Sequence, residues 1–368
     1  MMVILYIVIV LLFAGAYLLL LTKYGRSWEL IEENIAIENT PFSITVLIPF
    51  RNEANNLPAL IQSFTDLETD KNEVEFLFIN DHSSDEGAAI LKAYKDAANF
   101  RLEHLKVGVG KKAAVRYGWE CAKGDIIIQT DADCIVPKTW LLEMIKPFAN
   151  DSIQLVSGPV NFAEQKGFWF DLVSLDFAGL IAIGAAHIQM KKPMICNGAN
   201  LAYRKKVLLN ADLKEAKASG DDIFLMQSIA SRYQDSISFR KSKEAMVVTK
   251  SPQSLREFWN QRIRWASKNG NYSDKSNVMI LIGVWLYNVL ILVSLLSFNP
   301  IGYTSAAFLV IIKWLAEERF YSKFESFFGR KSSFIALGIG QVIHIIYMAI
   351  LPIASQMISY QWKERKLK

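Results

Sequence analysis

The chain has only three cysteines and four histidines to offer a soft metal or a covalent framework. Cys121, Cys134 and Cys196 are far apart, odd in number and lack C-x-x-C spacing, which excludes a disulfide scaffold and a zinc knuckle and fits a reducing compartment. His82, His104, His187 and His344 make no pair at helical spacing, so any metal is expected on oxygen ligands. Neither G-x-G-x-x-G nor G-x-x-x-x-G-K-[ST] follows an apolar run, which removes the dinucleotide fingerprint and the P-loop. No Lys/Arg stretch is interleaved with aromatics, so nucleic acid is discounted as a partner even at a net charge of +5. Internal repeats and low-complexity tracts are missing as well.

What the chain does have is apolar sequence, 52% of it, concentrated at the two ends. Residues 2–21 are almost continuously apolar and long enough to cross a hydrocarbon core of ~30 Å. A secretory signal is the rival reading. Against it stand the missing basic n-region, the length, and the lack of a small-x-small cleavage site before Lys23. Lys23 and Arg26 follow directly, which places the next domain in the cytoplasm, with an inner (cell) membrane as the expected location. Toward the C-terminus, residues 278–298 and 334–358 are long enough to span, while residues 301–316 carry Lys313 and make a weaker span. Residues 317–333 mix basic side chains with Phe320, Tyr321, Phe324, Phe327 and Phe328, a composition suited to a helix in the membrane interface. Three spans would leave the basic tail (Lys363, Arg365, Lys366, Lys368) outside; a re-entrant turn at Pro352 would keep it inside.

The middle of the chain alternates apolar runs with helical patterns. Strands are predicted over 44–50, 74–80, 102–107 and 126–130, and helices over 53–67, 86–97, 111–122 and 140–148. Short apolar runs of this kind are typical of parallel strands buried on both faces. Such βαβ alternation implies a doubly wound sheet, with ligands bound beyond the carboxyl ends of the strands. Those ends carry Arg51-Asn52-Glu53, Asn80 to Asp85, and Thr130-Asp131-Ala132-Asp133.

Three clusters stand out. Asp131 and Asp133 follow a buried strand; in an extended stretch residues i and i+2 face the same way, so both carboxylates can converge on one hard cation. An acidic turn is the plainer alternative. Ser219-Gly220-Asp221-Asp222 opens a helix over 223–231. A first-turn acid favours the helix dipole, which accounts for one aspartate; the second suits a general base for an acceptor hydroxyl. Gln261-Arg262-Ile263-Arg264-Trp265 precedes a membrane segment. On a helix Gln261, Arg264 and Trp265 share a face while Arg262 points elsewhere. Ordinary interfacial snorkelling competes there with an arginine fork for a diphosphate beside an aromatic plate for a sugar.

Taken in order, Asp81, D-x-D, Asp-Asp and Q-x-x-R-W resemble the family 2 inverting glycosyltransferases of the GT-A fold, in particular the membrane-embedded branch. That branch includes cellulose, chitin, hyaluronan and poly-N-acetylglucosamine synthases and ceramide glucosyltransferases. Val46 to Glu53, Phe78 to Asp85 and Gly110 to Val115 resemble further family segments. The resemblance implies an α/β, Rossmann-like mixed sheet flanked by helices, with one N-terminal and two to three C-terminal transmembrane helices. It implies a nucleotide diphosphate sugar, expected to be a UDP-sugar, as donor, Mg2+ or Mn2+ as cofactor, and a lipid or glycan acceptor at the bilayer; a processive polysaccharide synthase is the alternative. Asp81, Lys111, Asp131, Gln261 and Arg264 would serve the donor, Asp131 and Asp133 the metal. Asp222, with Asp221 in place of the usual Glu, would be catalytic, and Trp265, Asn197 and Asn200 would meet the acceptor. A decayed, non-catalytic scaffold would show gaps among these acids, and none is seen; Asn80 replaces the first Asp of the family's usual pair. The implied divisions are an anchor (1–22), a linker (23–42), a donor half (43–135), an acceptor half (136–250), an interfacial helix (251–277), a membrane region (278–358) and a basic tail (359–368).

Overall fold

The computed structural model describes residues 1–34, 41–94, 99–210, 220–267, 274–330, 334–357, 360–362 and 365–367. Ser219, the end of the helix predicted over 86–97, and Lys331, Lys363 and Lys368 therefore lie outside the described residues.

A seven-stranded mixed sheet organises the centre, in the order β3-β2-β1-β4-β7-β5-β8. Strands β1 (Ser43–Phe50), β2 (Glu73–Asn80), β3 (Phe100–His104) and β4 (Ile126–Gln129) are mutually parallel where they pair, while β7 (Leu201–Arg204) runs antiparallel to both β4 and β5 (Leu155–Ser157). β8 (Ile237–Phe239) pairs in parallel with β5, and β6 (Val160–Phe162) with β9 (Val247–Thr249) makes a separate ribbon.

The alternation of side chains along β1 explains its two-sided burial. Ile44, Val46, Ile48 and Phe50 enter a core with α2 (Leu57–Thr65) and α5 (Trp140–Ile145). Leu47 faces the opposite layer with Ala114, Val115 and Trp119 of α4 (Lys111–Cys121). Fully burying one such leucine stabilises by about 2 kcal/mol. Helix α4 approaches β1 closely because residue 118 is glycine; a Cβ there would stand 2.3 Å from Leu47 Cδ1.

Helix α1 (Met2–Glu29) continues without a break into the predicted linker, so only residues from Leu30 onward connect it to the sheet domain. Val10, Ala14, Tyr17, Leu21, Tyr24 and Trp28 form its buried stripe. Among the described residues four helices are long and apolar enough to cross a membrane: α1, α6 (Phe168–Gln189), α9 (Lys275–Leu295), and residues 338–357 of α11 (Phe334–Met357). The sequence reading did not single out α6. More than half of its apolar window, 56%, is buried in the protein, against 17% for α1. Helix α10 (Pro300–Tyr321) is as long but too charged to join the set.

Two expectations are corrected. Residues 317–333 do not form one interfacial helix: α10 ends at Tyr321, and Phe324, Phe327 and Phe328 close around Trp28 with centroids 6.0, 5.3 and 6.0 Å from its ring. The aromatics serve packing, not lipid. Helix α11 passes through Pro352 to Met357, so no turn-back occurs at that proline. The basic tail includes a short hairpin, β10 (Tyr360–Trp362) with β11 (Arg365–Leu367).

One buried ion cluster ties α5 to the segments after β8 and α1. Arg240 Nε and Nη2 donate to Glu143 Oε2 at 3.0 and 2.5 Å, Lys146 Nζ donates to Oε1 at 2.5 Å, and Arg240 Nη1 reaches Glu33 O at 2.6 Å. Burial alone would push the Glu143 carboxyl up, but these hydrogen bonds outweigh it and hold it below the usual range. A carboxyl depressed in the folded state stabilises above its unfolded pKa, and that stability is lost as pH falls through its folded value. Glu143→Gln is therefore expected to cost about 3 kcal/mol near pH 7. Thermal midpoints in detergent should differ at neutral pH and converge in strong acid; a constant offset across pH would contradict the pairing.

Candidate active site

The site gathers at one end of the sheet for a topological reason. β1, β2 and β4 are parallel, so residues 51, 81 and 131 leave the sheet on the same side. β7 runs the other way and pairs Leu201 with Gln129, which brings the loop 197–200 to that side as well.

Asp81 is buried at the end of β2. Its Oδ2 accepts from the Gly110 N–H at 3.0 Å, and Arg51 Nη1 donates to its carbonyl oxygen at 2.9 Å. Gly110 caps α4 with φ +95°, a conformation that favours glycine, and so presents the positive helix end to the carboxylate. Asn80, where the family has an acid, bonds within the frame: Nδ2 lies 3.1 Å from His104 Nδ1 across β2–β3, and Oδ1 accepts from Ser83 N at 2.9 Å. Asn52 and Asp85 pin the same loop, accepting from Ser84 N at 2.9 Å and Ala54 N at 2.7 Å.

One residue along α4, Lys111 Nζ donates to Asp131 Oδ1 at 2.5 Å. Burial pulls this ammonium down; the charges of Asp131, Asp221 and Asp222 outweigh it and hold it above its ordinary value. A single cation thus feels acids from two distant parts of the chain. Asp133 is affected in the opposite way. Burial, then the neighbouring Asp131, raise its carboxyl, with Lys111 only partly relieving it.

Asp131 and Asp133 are not in an extended stretch. β4 ends at Gln129, and Cys134 N donates to Asp131 O at 3.2 Å, closing a turn over Asp131-Ala132-Asp133. The acids come close through that turn rather than through strand periodicity. Among the described residues no three His, Cys, Asp or Glu side chains cluster as a metal cage. Two hard oxygen donors set this close in one turn still suit Mg2+ or Mn2+, which take one or two carboxylates and complete their shell with phosphate and water.

Helix α7 (Asp221–Arg232) begins after Gly220, whose φ is +97°. Its two acids diverge. Asp221 is 6% exposed and its Oδ2 accepts from Gln129 Nε2 at 3.4 Å; the chain continues from Gln129 Oε1 to Tyr203 OH at 3.1 Å and Trp119 Nε1 at 2.8 Å. Asp222 Oδ2 accepts from Gly198 N at 3.1 Å. A Cβ on Gly198 would come within 3.3 Å of Asp222 Cβ, so the glycine permits this close approach.

Asp222 and Asn197 line a cavity of about 300 Å³ together with Ser157 and Phe239 of the sheet and, from the long apolar helices, Leu21 of α1, Leu281 and Val284 of α9, and Leu351 of α11. Helix α8 (Leu255–Ala266) adds Arg262 and Trp265. The arginine is not the one expected. Arg262 is buried beside Asp176 of α6, with its guanidinium 4.6 Å from the Trp265 ring, while Gln261 and Arg264 are half-buried and do not line this cavity. Residues 262 and 265 also share a helix face, at i and i+3, and the neighbouring acid on α6 selects it. Asn200 is corrected too. Its amide is wholly buried, donates to Pro159 O and Ala245 O at 2.8 Å each and accepts from Trp140 Nε1 at 2.9 Å, which leaves nothing for an acceptor.

Residues 45–210 match the family described as "Glycosyl transferase family 2". That segment, a little under half of the chain, matches as a family 2 glycosyltransferase domain. Among its relatives, a poly-beta-1,6-N-acetyl-D-glucosamine synthase of Staphylococcus aureus is 25% identical over 227 residues, 61% of this chain and 53% of the relative. One from Staphylococcus epidermidis is 22% identical over 66% of this chain and 57% of its own length. The chain thus spans little more than half the length of these curated relatives. A solved mannosyltransferase from Pyrobaculum calidifontis, in complex with GDP-Man and Mn2+, shares the fold of the chain: TM-score 0.58, 17% identity, covering 97% of this chain and 98% of the other.

Lys111→Met would leave the surrounding carboxylates uncompensated. Their folded pKa values would rise, and groups raised on folding lose their stability contribution as pH rises. The variant should lose about 1 kcal/mol near pH 7, discounted for partial exposure, and recover toward wild type as the acids protonate. Thermal midpoints of both proteins between pH 4 and pH 8 (~) measure this; a deficit that grows in acid would contradict it.

Proposed function

We propose that the chain moves a sugar from a nucleotide diphosphate sugar to a lipid or lipid-linked glycan acceptor, with inversion, in one metal-dependent displacement. The observation that carries the proposal is the position of Asp222. Its carboxylate acts on Lys111 together with Asp131, and it also lines the cavity bordered by the long apolar helices. A group shared by a polar donor side and an apolar acceptor side is placed to take a proton at the point where the two substrates meet.

In this reading Asp81, with the α4 N-terminus behind it, orients the donor nucleotide. Lys111 and Asp131 hold the donor, and Gln261 and Arg264 serve its diphosphate from their own face of α8. Asp131 and Asp133 would hold Mg2+ or Mn2+, which would supply positive charge to offset the negative charge of the leaving group. The Pyrobaculum mannosyltransferase is in complex with GDP-Man and Mn2+, which supports a divalent cation and a donor of that class. The acceptor hydroxyl oxygen bonds to the anomeric carbon, its proton passes to Asp222, and the nucleoside diphosphate departs. Trp265 and Asn197 border the acceptor. Asp221, facing Gln129, positions the start of α7. Lys23 and Arg26, close after the apolar part of α1, support a cytoplasmic catalytic domain on the inner membrane.

A processive polysaccharide synthase is the second reading, favoured by the staphylococcal relatives. Products separate the two: purified protein in nanodiscs, given labelled nucleotide sugars, should add single sugars to lipid on the first reading and build a ladder of long chains on the second.

Asp222→Asn should lower transfer about a thousandfold while labelled donor still binds; undiminished transfer would remove the base. Asp133→Ala should abolish the metal-dependent part of donor binding in calorimetry, and normal binding would contradict its role.

A further inference from the structure

A network of charged and polar side chains lies among the long apolar helices, and it has an open end. Lys313 of α10 is fully buried and all three of its donors are used: Nζ donates to Glu317 Oε1, to Gln341 Oε1 at 2.8 Å and to His344 Nδ1 at 2.9 Å. Glu317 accepts also from Gln341 Nε2 and from Tyr17 OH at 2.6 Å. An ammonium has donors only, so Nδ1 is the acceptor, and the neutral ring of His344 carries its proton on Nε2. His344 lines the cavity, and among the described residues nothing accepts from that Nε2. A tie between helices accounts for Lys313, Glu317 and Gln341, which bond to one another across α10 and α11. It does not account for a histidine whose proton faces away from the network.

Arg262 of α8 supplies the second open donor. It is 2% exposed, Nη2 contacts Asp176 Oδ2, and the rings of Phe258 and Trp265 lie 4.8 and 4.6 Å from the guanidinium carbon. Its Nε and Nη1 have no hydrogen-bond partner, yet the residue lines the cavity. Asp176 joins the two donors: its Oδ1 accepts from Tyr347 OH at 3.5 Å, and the Tyr347 ring packs edge-on against His344 at 5.2 Å. A buried donor without an acceptor keeps the full cost of its lost hydration, so a fitting occupant brings oxygens to Arg262 and His344. Elsewhere the wall offers hydrocarbon, with Leu21, Leu281, Val284 and Leu351 coming from helices long enough to span a bilayer. A molecule with an apolar chain and an oxygen-bearing head matches both parts.

We propose that Arg262 and His344 are the head-group donors of a lipid site in this cavity, and that Lys313 is a positioning residue that holds His344 as its Nε2–H tautomer. The head group is defined by its oxygens, whether of a hydroxyl, ester or sugar or of a phosphate. That this lipid is the sugar acceptor rests on the function proposed for the chain; the site itself rests on the donors.

The test uses the full chain in phosphatidylcholine nanodiscs, with labelled UDP-glucose, UDP-N-acetylglucosamine and GDP-mannose as donor probes. Dioleoylglycerol and dioleoyl phosphatidate, alike in their chains, are the acceptor probes, and the one that is labelled identifies the source of the oxygens. His344→Phe and Arg262→Gln should each raise the KM of that lipid about tenfold with the donor KM unchanged. His344→Gln, which can accept from Lys313 and still donate to a lipid, should stay within about threefold. A lipid KM that none of these variants moves would mean that water serves the donors, and would overturn the proposal. Native mass spectrometry reads the site without turnover: the wild type should retain one of the two lipids over phosphatidylcholine, and His344→Phe should lose it. Equal retention by both proteins would end the lipid site, whereas labelled polysaccharide with neither lipid modified would end only the acceptor role. Ring-nitrogen chemical shifts of histidine-labelled protein, with the His344 signal identified by its loss in His344→Phe, should show Nε2–H in the wild type. Lys313→Met combined with Glu317→Gln should admit the Nδ1–H form; an unchanged ring there would remove Lys313 from its role.

Discussion

Carboxylates that repel one another are brought to one end of one sheet, and Lys111 makes that tolerable. Asp131 and Asp133 arrive from β4, Asp221 and Asp222 from α7, roughly ninety residues later in the chain. Without a cation at the centre, packing β4 against β7 and docking α7 beside them would concentrate negative charge where water is scarce. Lys111 is available because α4 begins there, and α4 begins there because Gly110 adopts a positive φ and gives its N–H to Asp81. The end of β2 and the start of α7 are therefore coupled through one ammonium and one glycine turn.

Much of this was legible in the sequence, for an elementary reason. Apolar runs that end in polar residues mark both a strand and the edge where it leaves the core, so Asp81 and Asp131 were found by position as much as by motif. Geometry within a turn was not legible. Asp131 and Asp133 meet through a backbone bond from Cys134 to Asp131, which strand periodicity cannot foresee. The register of α8 was also out of reach. Gln261, Arg264 and Trp265 make a plausible face, and so do Phe258, Arg262 and Trp265; only Asp176 on another helix decides which arginine is drawn into the cavity. Helix α6 was overlooked because it lies within the domain, where an apolar stretch reads as core. Its two acids, Asp171 and Asp176, were the available signal that one face meets something polar. Asn200 illustrates the reverse error: a polar residue in a small-residue loop suggested a ligand, and the fold uses it to tie β7 to Pro159, Ala245 and Trp140.

The membrane helices and the sheet domain are parts of one wall rather than an anchor and its cargo. Trp28, at the end of α1, packs on Phe239 of β8 and on Phe324, Phe327 and Phe328 beyond α10, with Lys241 Nζ 4.9 Å from its ring. Tyr17, farther up the same helix, donates to Glu317 at 2.6 Å and stacks on Tyr287 of α9 at 4.4 Å. These contacts hold the apolar half of the cavity in fixed relation to Asp222. Charged groups at such depth are costly and persist only when paired. Lys313 with Glu317 on α10 and Arg262 with Asp176 between α8 and α6 meet that condition, and Glu317, Arg262 and Asp176 also face the cavity. Simpler packing would replace both pairs by leucines at similar or better stability. Their presence at the cavity wall is therefore better explained by what the cavity must recognise than by the stability of the helices that carry them.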